Sequence, residues 1–384
     1  MNFEEIYSRL PLKIIRGGSS KGIFVRVEDL PDAGSDRDSV ILRLFGSPDI
    51  RQIDGLGGAD KLTSKLAVMG PPTRSDCDIS YLFAQVGTEF PDVDWKSNCG
   101  NISSGAALFA ALDRLGEKHG VQRKIAIEQA NTGRRLLATV PLRGDDPALK
   151  GEYSIGGVPG TGPRIDLDFA DFNGSCLNRG LFPSGKREEK LLLPDGTVLP
   201  VTIIDMANLS VLVQADKLNV DLSLSLNRLQ EDRNLTHTLD QIREAVLIKL
   251  GMATPETATE IIRRSVNPLV QILAQPQAYC DLAGNTISVQ SHDVLSRSYA
   301  RGAFSKAFPG TGAIGTGVCA FIAGTVAEQY TRNLVCPTEI RIGHPSGCMS
   351  VEVSVSDTSA ELHVLKASIG RTARVLMEGV AHLD

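Results

Sequence analysis

Short runs of alternating apolar and polar residues, rich in Val, Ile, Thr and Tyr, make up much of the chain. Runs of this kind, bounded by Gly, Pro, Asn or Asp, predict β-strands. The predicted strands are 12–16, 22–27, 78–86, 123–129, 135–142, 151–155, 198–205, 210–214, 266–274, 287–291, 338–342 and 348–355. Apolar residues recur with the helical period at 38–45, 105–115, 222–229, 239–250, 255–262, 313–326 and 371–379, which predicts helices there.

Two of the predicted helices lack a polar face. Residues 105–112 and 317–324 are almost wholly apolar, and each run follows a Gly-rich turn. A helix that is apolar all round is buried all round. We therefore predict an α+β fold of two pseudo-symmetric domains, each a curled mixed β-sheet around a central apolar helix, with both helix N-termini facing one cleft.

A Gly- and Pro-rich connection at 156–163, followed by 173–190, separates the two halves. Such stretches mark loops and domain crossings. We place the first domain at residues 1–180 and the second at 181–384. The pattern leaves open whether the last helix packs back on the first domain.

Composition narrows the functional class. The 384 residues are 42% hydrophobic and 22% charged, with 5% aromatics and a net charge of −5, which is ordinary for a soluble globular protein and argues against nucleic-acid binding. No signal peptide is evident and no apolar run reaches the ~18 residues of a membrane span. Seven dispersed cysteines indicate reduced thiols in a cytoplasmic protein. No spacing predicts a metal site, and a homodimer is the commonest assembly.

The two Gly-rich turns carry the candidate chemistry. The first contains Asn98, Cys99, Gly100 and Asn101, and the second has Pro309 where the first has Cys99. A helix N-terminus stabilises a thiolate or a substrate carboxylate. Cys99 also fits a buried structural thiol, but the polar side chains beside it favour a site. Pro309 argues against proton exchange between two thiols.

Other candidates each have a plain alternative. The segment Arg16–Gly22 offers backbone N–H groups, hydroxyls and two cations as an anion cradle, but it also fits a hairpin turn. Lys65 stands in an apolar run as either a surface residue or a buried amine. Asn208 follows the end of a predicted strand, where a polar Asn often faces a cleft. His344 is a candidate base in a turn that Gly and Pro already explain.

Together these stretches resemble the PrpF-like isomerases, which have a diaminopimelate epimerase-like fold. The matching segments are 16–22, 46–49, 51–55, 57–59, 63–65, 81–86, 98–101, 343–347 and 371–374. The resemblance implies a cofactor-independent allylic isomerase or tautomerase that acts on a small unsaturated di- or tricarboxylate of the methylitaconate, methylaconitate, aconitate or oxalomesaconate type. It leaves the identity of that acid open.

The resemblance also implies roles for single residues. Lys65 is the base that transfers the proton, taken to be neutral because it is desolvated and near other cations. Cys99 is a second catalytic or substrate-contacting group, and Lys306 stands where relatives often have His. The predicted substrate-binding residues are Arg16, Gly18, Ser19, Ser20, Lys21, Ser64, Asn98, Gly100, Asn101, Asn208, Lys306, Gly310, Thr311 and Gly312. Two other functions stay open: an epimerase or racemase with one thiol, and a non-catalytic accessory protein that binds an organic acid.

Overall fold

The computed structural model describes residues 8–331, 334, 336–357 and 361–383. The strands in chain order are β1 (Arg9–Gly17), β2 (Ser20–Arg26), β3 (Lys65–Gly70), β4 (Ile79–Val86), β5 (Val93–Asp94), β6 (Glu117–His119), β7 (Gln122–Gln129), β8 (Arg134–Arg143), β9 (Asp146–Pro147), β10 (Ile165–Asp168), β11 (Glu189–Leu192), β12 (Val198–Met206), β13 (Asn208–Gln214), β14 (Leu269–Ala274), β15 (Tyr279–Cys280), β16 (Thr286–Ile287), β17 (Val294–Ala300), β18 (Ala303–Phe304), β19 (Glu339–His344), β20 (Gly347–Asp357), β21 (Leu362–Arg371) and β22 (Ala373–His382). The α-helices are α1 (Ser35–Phe45), α2 (Gly100–Leu112), α3 (Leu226–Glu231), α4 (Arg233–Lys249), α5 (Pro255–Arg264) and α6 (Gly310–Ala320).

The chain forms two compact units. The first consists of Met1–Leu167 with Gly370–Asp384, and the second of Asp168–Ile369. Residues 168–180, which we predicted in the first domain, thus lie in the second unit. The final segment lies in the first unit, so the second unit is an insertion between two parts of the first.

The sheet of the first unit runs in the order β22, β1, β2, β3, β4, β7, β8. Adjacent strands in this order are antiparallel, except for the two parallel pairs β2–β3 and β4–β7. One face packs on α1, where Ile41, Phe45 and Val40 meet strand residues such as Leu66 and Val68. Because side chains alternate along a strand, Lys65 and Ala67 belong to the opposite face.

The second unit repeats this plan. Its sheet runs β11, β12, β13, β14, β17, β19, β20, and the same succession of antiparallel and parallel neighbours recurs. β21 continues this sheet antiparallel to β20. Here α4 covers the outer face, where Leu239, Ile242 and Val246 pack on strand residues such as Val211 and Ile272. The predicted α+β fold with an internal pseudo-repeat is therefore confirmed.

A buried helix stands on the inner face of each sheet. Every residue of α6, and every residue of α2 before Leu112, is buried. Small residues permit this close packing: a Cβ on Gly105 would lie 2.5 Å from Cζ of Phe24, and one on Gly17 would lie 2.6 Å from the carbonyl oxygen of Asn101. Both helices begin within the Gly-rich turns rather than after them.

Some predicted elements are wrong. The segment 371–379 is not a helix but belongs mainly to β22, which pairs antiparallel with β1 from Arg9↔His382 to Gly17↔Ala373. In β22, Leu376, Met377 and Val380 have the spacing of one helix face, but all three are exposed. Their spacing therefore does not mark a face buried in the protein. Residues 151–155 form only an isolated bridge at Tyr153.

Two further boundaries differ from the prediction. The helix predicted from residue 222 begins at Leu226, because the side chain of Ser225 caps it by accepting the backbone N–H of Arg228. The strand predicted at 287–291 ends with β16 at Ile287 and gives way to a short 3-10 helix at Val289–Ser291.

Candidate active site

Lys65 is the first residue of β3, and its side chain is only 8% exposed. Its Nζ donates a hydrogen bond to Oε1 of Gln85 at 3.0 Å and lies 5.1 Å from the centre of the Phe83 ring. The hydrogen bond and the contact with the ring face fix the position of the amine. Of the two interpretations of Lys65 left open above, the buried amine is the one found.

A chain of amides and hydroxyls fixes the backbone around Lys65. Nε2 of Gln85 donates to the carbonyl oxygen of Ser64 at 2.8 Å, and Oγ of Ser64 donates to Oε1 of Gln52 at 2.6 Å. That same oxygen accepts the backbone N–H of Ala59 at 2.8 Å. Ser64 is fully buried, so in the described structure it holds the loop before β3.

Cys99 is the N-cap residue of α2 and is 9% exposed. Its backbone N–H donates to Oδ1 of Asn98 at 2.7 Å, and its carbonyl oxygen accepts from Oγ of Ser103 at 3.0 Å. The helix-starting residue Gly100 follows directly. The thiol therefore lies beside the positive end of a buried helix dipole, as the sequence predicted.

Tyr81 and Arg371 border the same helix start. Burial raises the pKa of the Tyr81 phenol well above its usual range, and the thiol of Cys99 adds to this effect while Ser103 opposes it. Burial lowers the pKa of Arg371 to about 10, although Tyr153 and Cys99 act in the opposite direction. Cys99 therefore lies close enough to a buried phenol and a buried guanidinium to influence the pKa of each.

Asn101 ties three segments of the first unit together. Its Nδ2 donates to Oγ of Ser19 at 3.1 Å, and its Oδ1 accepts from Nε of Arg371 at 3.1 Å. A Cβ on Gly18 would lie 2.3 Å from this Oδ1, and Gly18 has a φ of 53°, so the turn requires glycine twice over. The structure therefore brings Gly18, Ser19 and Asn101 together.

The other residues of the predicted anion cradle at Arg16–Gly22 differ in burial and in hydrogen bonding. Nη1 of Arg16 donates to the carbonyl oxygens of Gly18 and Thr372, both at 2.9 Å, so this cation holds the hairpin to the C-terminal segment. Burial, and then the charge of Arg374, lower its pKa. Ser20 is buried, and its hydroxyl has no hydrogen-bond partner among the described residues. Lys21 is half-buried.

The second unit holds the other predicted helix start. Pro309 is the N-cap of α6, and Gly310, Thr311 and Gly312 form its first turn. Nδ2 of Asn208 donates to Oγ1 of Thr311 at 2.8 Å, and both residues are buried. Asn208, which begins β13 and does not end a strand, thus forms one polar cluster with the start of α6.

Lys306 and His344 differ in burial. Lys306 is exposed, and its carbonyl oxygen accepts from Oγ of Ser346 at 2.6 Å. His344 is buried with its ring centre 6.1 Å from that of Phe308, and its Nδ1 accepts the backbone N–H of Ser346 at 3.2 Å. This hydrogen bond leaves the proton of a neutral ring on Nε2.

Sequence reasoning did not select Gln52, Gln85, Arg371 or Gln271 as site residues. Gln85 and Gln271 carried a usable signal, because each interrupts an apolar strand with an amide. Among the described residues, no helix is long and apolar enough to cross a bilayer. Within those same ranges, no group of three or more His, Cys, Asp or Glu is placed to hold a metal ion.

Comparison with known proteins identifies the family. The family model described as "PrpF protein" matches residues 7–384. The chain belongs to the PrpF family. A relative from Eubacterium barkeri named 3-methylitaconate isomerase is 38% identical over 98% of this chain and 97% of its own. A 4-oxalomesaconate tautomerase of Pseudomonas putida is 34% identical over 97% of this chain and 96% of its own.

Other relatives agree with this placement in the PrpF family. A 2-methyl-aconitate isomerase of Shewanella oneidensis is 32% identical over 95% of this chain and 94% of its own. The crystal structure of a methylitaconate-delta-isomerase superposes with a TM-score of 0.83 at 38% identity, covering 97% of this chain and 95% of that one. A hydroxyproline epimerase from Agrobacterium vitis, at 11% identity and a TM-score of 0.54 over 98% of this chain and 93% of its own, shares the fold.

Proposed function

We propose that this PrpF family member is an isomerase that moves a proton and a double bond within a small unsaturated di- or tricarboxylic acid, with Lys65 as the base and without a cofactor. The names of relatives that are 32–38% identical along nearly the whole chain support the class of reaction and of substrate. They differ in the acid they name, so the acid taken by this chain is part of what the experiment below determines. The cytoplasmic location and the homodimer remain predictions.

The observation that carries the proposal is the burial of Lys65. It is the only buried lysine among the described residues, and an amide oxygen and an aromatic face hold its amine in place. A buried, oriented amine suits repeated proton transfer to carbon, because its position is fixed before the substrate binds.

The reaction needs only proton transfers. The neutral amine of Lys65 takes the proton of a carbon next to the C=C, and the electron pair of the broken C–H bond forms the new double bond. The electron pair of the old double bond then accepts a proton at its far carbon. Negative charge spreads over the allyl group and its carboxylate in between, and backbone N–H groups at the start of α2 stabilise it.

Cys99 has two possible roles in this reaction. It is either the acid that protonates the far carbon or a donor that polarises a carboxylate. If Lys65 alone carries the proton from one carbon to the other, part of it escapes exchange with solvent. If Cys99 delivers a separate proton, every new C–H bond takes its hydrogen from the thiol and so from solvent.

Proton NMR in D₂O tests the proposal with a panel of methylitaconate, cis- and trans-aconitate, 2-methylaconitate and 4-oxalomesaconate. We expect new vinyl or methylene signals, with deuterium at allylic positions, for at least one acid. Lys65→Met keeps the side-chain length and removes the base, so turnover should fall by at least about 100-fold, as expected for loss of a general base.

Lys124→Met is the matched control, because Lys124 is an exposed lysine of β7 and should leave turnover unchanged. Both variants should unfold at the wild-type temperature within a few degrees. Near wild-type turnover in Lys65→Met would rule out its role as the base. Silence of the well-folded wild-type protein across the panel would favour an accessory protein, and inversion at a single carbon would favour an epimerase.

A further inference from the structure

Gln271 has an unusual environment in the second unit. It lies in the middle of β14 and is fully buried. Neither Nε2 nor Oε1 of its side chain has a hydrogen-bond partner among the described residues. A buried amide without partners destabilises the fold, because its polar groups lose their hydrogen bonds to water and gain none in return. Such a residue therefore calls for a partner that is not part of the protein.

The amide lies against the first turn of α6. A Cβ on Gly312 would lie 2.4 Å from Nε2 of Gln271 and 3.6 Å from Cδ1 of Leu269. Gln271 is opposite Ser298 in the antiparallel pair of β14 and β17. The hydroxyl of Ser298 also is buried without a partner among the described residues. Two unsatisfied polar side chains thus lie on the sheet face that bears the helix start.

The corresponding place in the first unit is filled differently. Gly312 is the third residue of α6, and the third residue of α2 is Ile102, which is fully buried. The second unit therefore has no side chain at this helix position, and an amide from the sheet occupies the space. If this space served packing alone, an apolar side chain would fill it with a smaller loss of stability than a buried amide.

We propose that Gln271 determines specificity by donating a hydrogen bond from its amide to a carboxylate of the substrate at the start of α6. This inference rests on the proposed function, which supplies the carboxylate. The backbone N–H groups of the first helical turn favour an anion there. The buried amide of Gln271 thus acquires a hydrogen-bond partner when the acid binds.

Steady-state kinetics with the acid that the wild-type protein turns over tests this role. Gln271→Met keeps the size of the side chain and removes its hydrogen-bonding groups. We expect KM to rise about 10- to 100-fold, the usual effect of losing a hydrogen bond to a charged group. kcat should stay within about three-fold, because the carboxylate is bound equally in the ground and transition states.

A pair of glycine variants provides the matched control. Gly312→Ala places a methyl group 2.4 Å from Nε2 of Gln271, so it displaces the amide without removing it, and KM should again rise. Gly315→Ala adds the same methyl group to the same helix, but its nearest neighbour is 3.6 Å away, so KM should not change. Equal KM values for the wild-type protein, Gln271→Met and Gly312→Ala would overturn the proposal.

Calorimetry separates this inference from the isomerase itself. Binding of saturated diacids and triacids, methylsuccinate and tricarballylate, is measured with the wild-type protein and with Gln271→Met. We expect the variant to bind these acids about 10- to 100-fold more weakly. The half-ester of methylsuccinate in which the carboxylate next to Gln271 is esterified should bind equally to the two proteins. Equal affinity for the diacid, or no binding by the wild-type protein, would overturn the role of Gln271. Weaker binding by the variant together with a silent NMR panel would overturn only the proposed reaction.

Discussion

His292 is the residue whose surroundings give a clear dependence of stability on pH. It is buried, with its ring centre 5.5 Å from that of Tyr279 at a steep angle. Burial lowers its pKa below 6.5, and the charge of Arg341 adds to this, while Asp293 opposes it. The folded protein therefore binds a proton at His292 less readily than the unfolded chain does.

The sign of the effect follows from this difference in proton binding. As the pH falls through 6.5, the unfolded chain takes up a proton at this position before the folded protein does, so folding becomes less favourable. His292→Phe keeps the ring and removes the titration. Thermal unfolding at pH 7.5 and at pH 5.5 should therefore show a smaller loss of stability in His292→Phe than in the wild-type protein.

His363→Phe is the control for this experiment, because His363 is exposed on β21. It should retain the wild-type loss of stability at low pH. If His292→Phe and the wild-type protein lose the same amount, the lowered pKa of His292 does not contribute.

We expect alanine substitutions at equivalent glycines of the two central helices to have opposite effects on stability. Gly105 and Gly315 are each the sixth residue of their helix. A methyl group at Gly105 would lie 2.5 Å from the buried Phe24 ring, so Gly105→Ala should lower the free energy of unfolding by about 1–3 kcal/mol. Gly315 has room for it, so Gly315→Ala should raise that free energy by up to about 1 kcal/mol.

Urea denaturation midpoints of the two variants measure these changes. A lower midpoint for Gly315→Ala would show that α6 has less space than its contacts indicate. An unchanged midpoint for Gly105→Ala would show that Phe24 can move aside.

Local patterns predicted most of the elements because burial determined the patterns. The apolar runs at 105–112 and 317–324 indicated the two central helices. The alternation in β7 and β8 indicated strands with one buried and one more exposed face. The segment 371–379 was wrongly predicted as a helix, because the apolar residues of β22 are largely exposed and their spacing does not reflect burial. β3 was not predicted, since its continuous apolar run has no period that separates strand from helix.

The candidate site was only half predictable, for a reason that is also physical. Glycines and polar residues at a helix start are neighbours in sequence, so Asn98–Asn101 and Gly310–Gly312 could be found. Gln85 meets Lys65 across a sheet, and Arg371 meets Asn101 from 270 positions away. Contacts between distant segments leave no local spacing to recognise.

At the scale of the whole molecule, the first unit depends on its C-terminal segment. β22 covers one edge of β1 along its length, from Arg9 to Gly17, and Leu10 and Leu12 of β1 are buried. Ending the chain after Thr372 removes this strand, so we expect the first unit to lose its cooperative unfolding. Differential scanning calorimetry of the truncated and full-length chains checks this, and an unchanged transition would show that β22 is dispensable.

The insertion of one unit into the other also sets an order of events during synthesis. A ribosome completes every strand of the second unit before it makes β22, although domains of a growing chain generally fold from the N-terminus onward. Synthesis of the first unit, which carries Lys65 and Cys99, therefore begins before that of the second unit and ends after it. Until β22 emerges, the nascent protein carries an open strand edge at β1, and this is the period in which it is most exposed to mispairing with another chain.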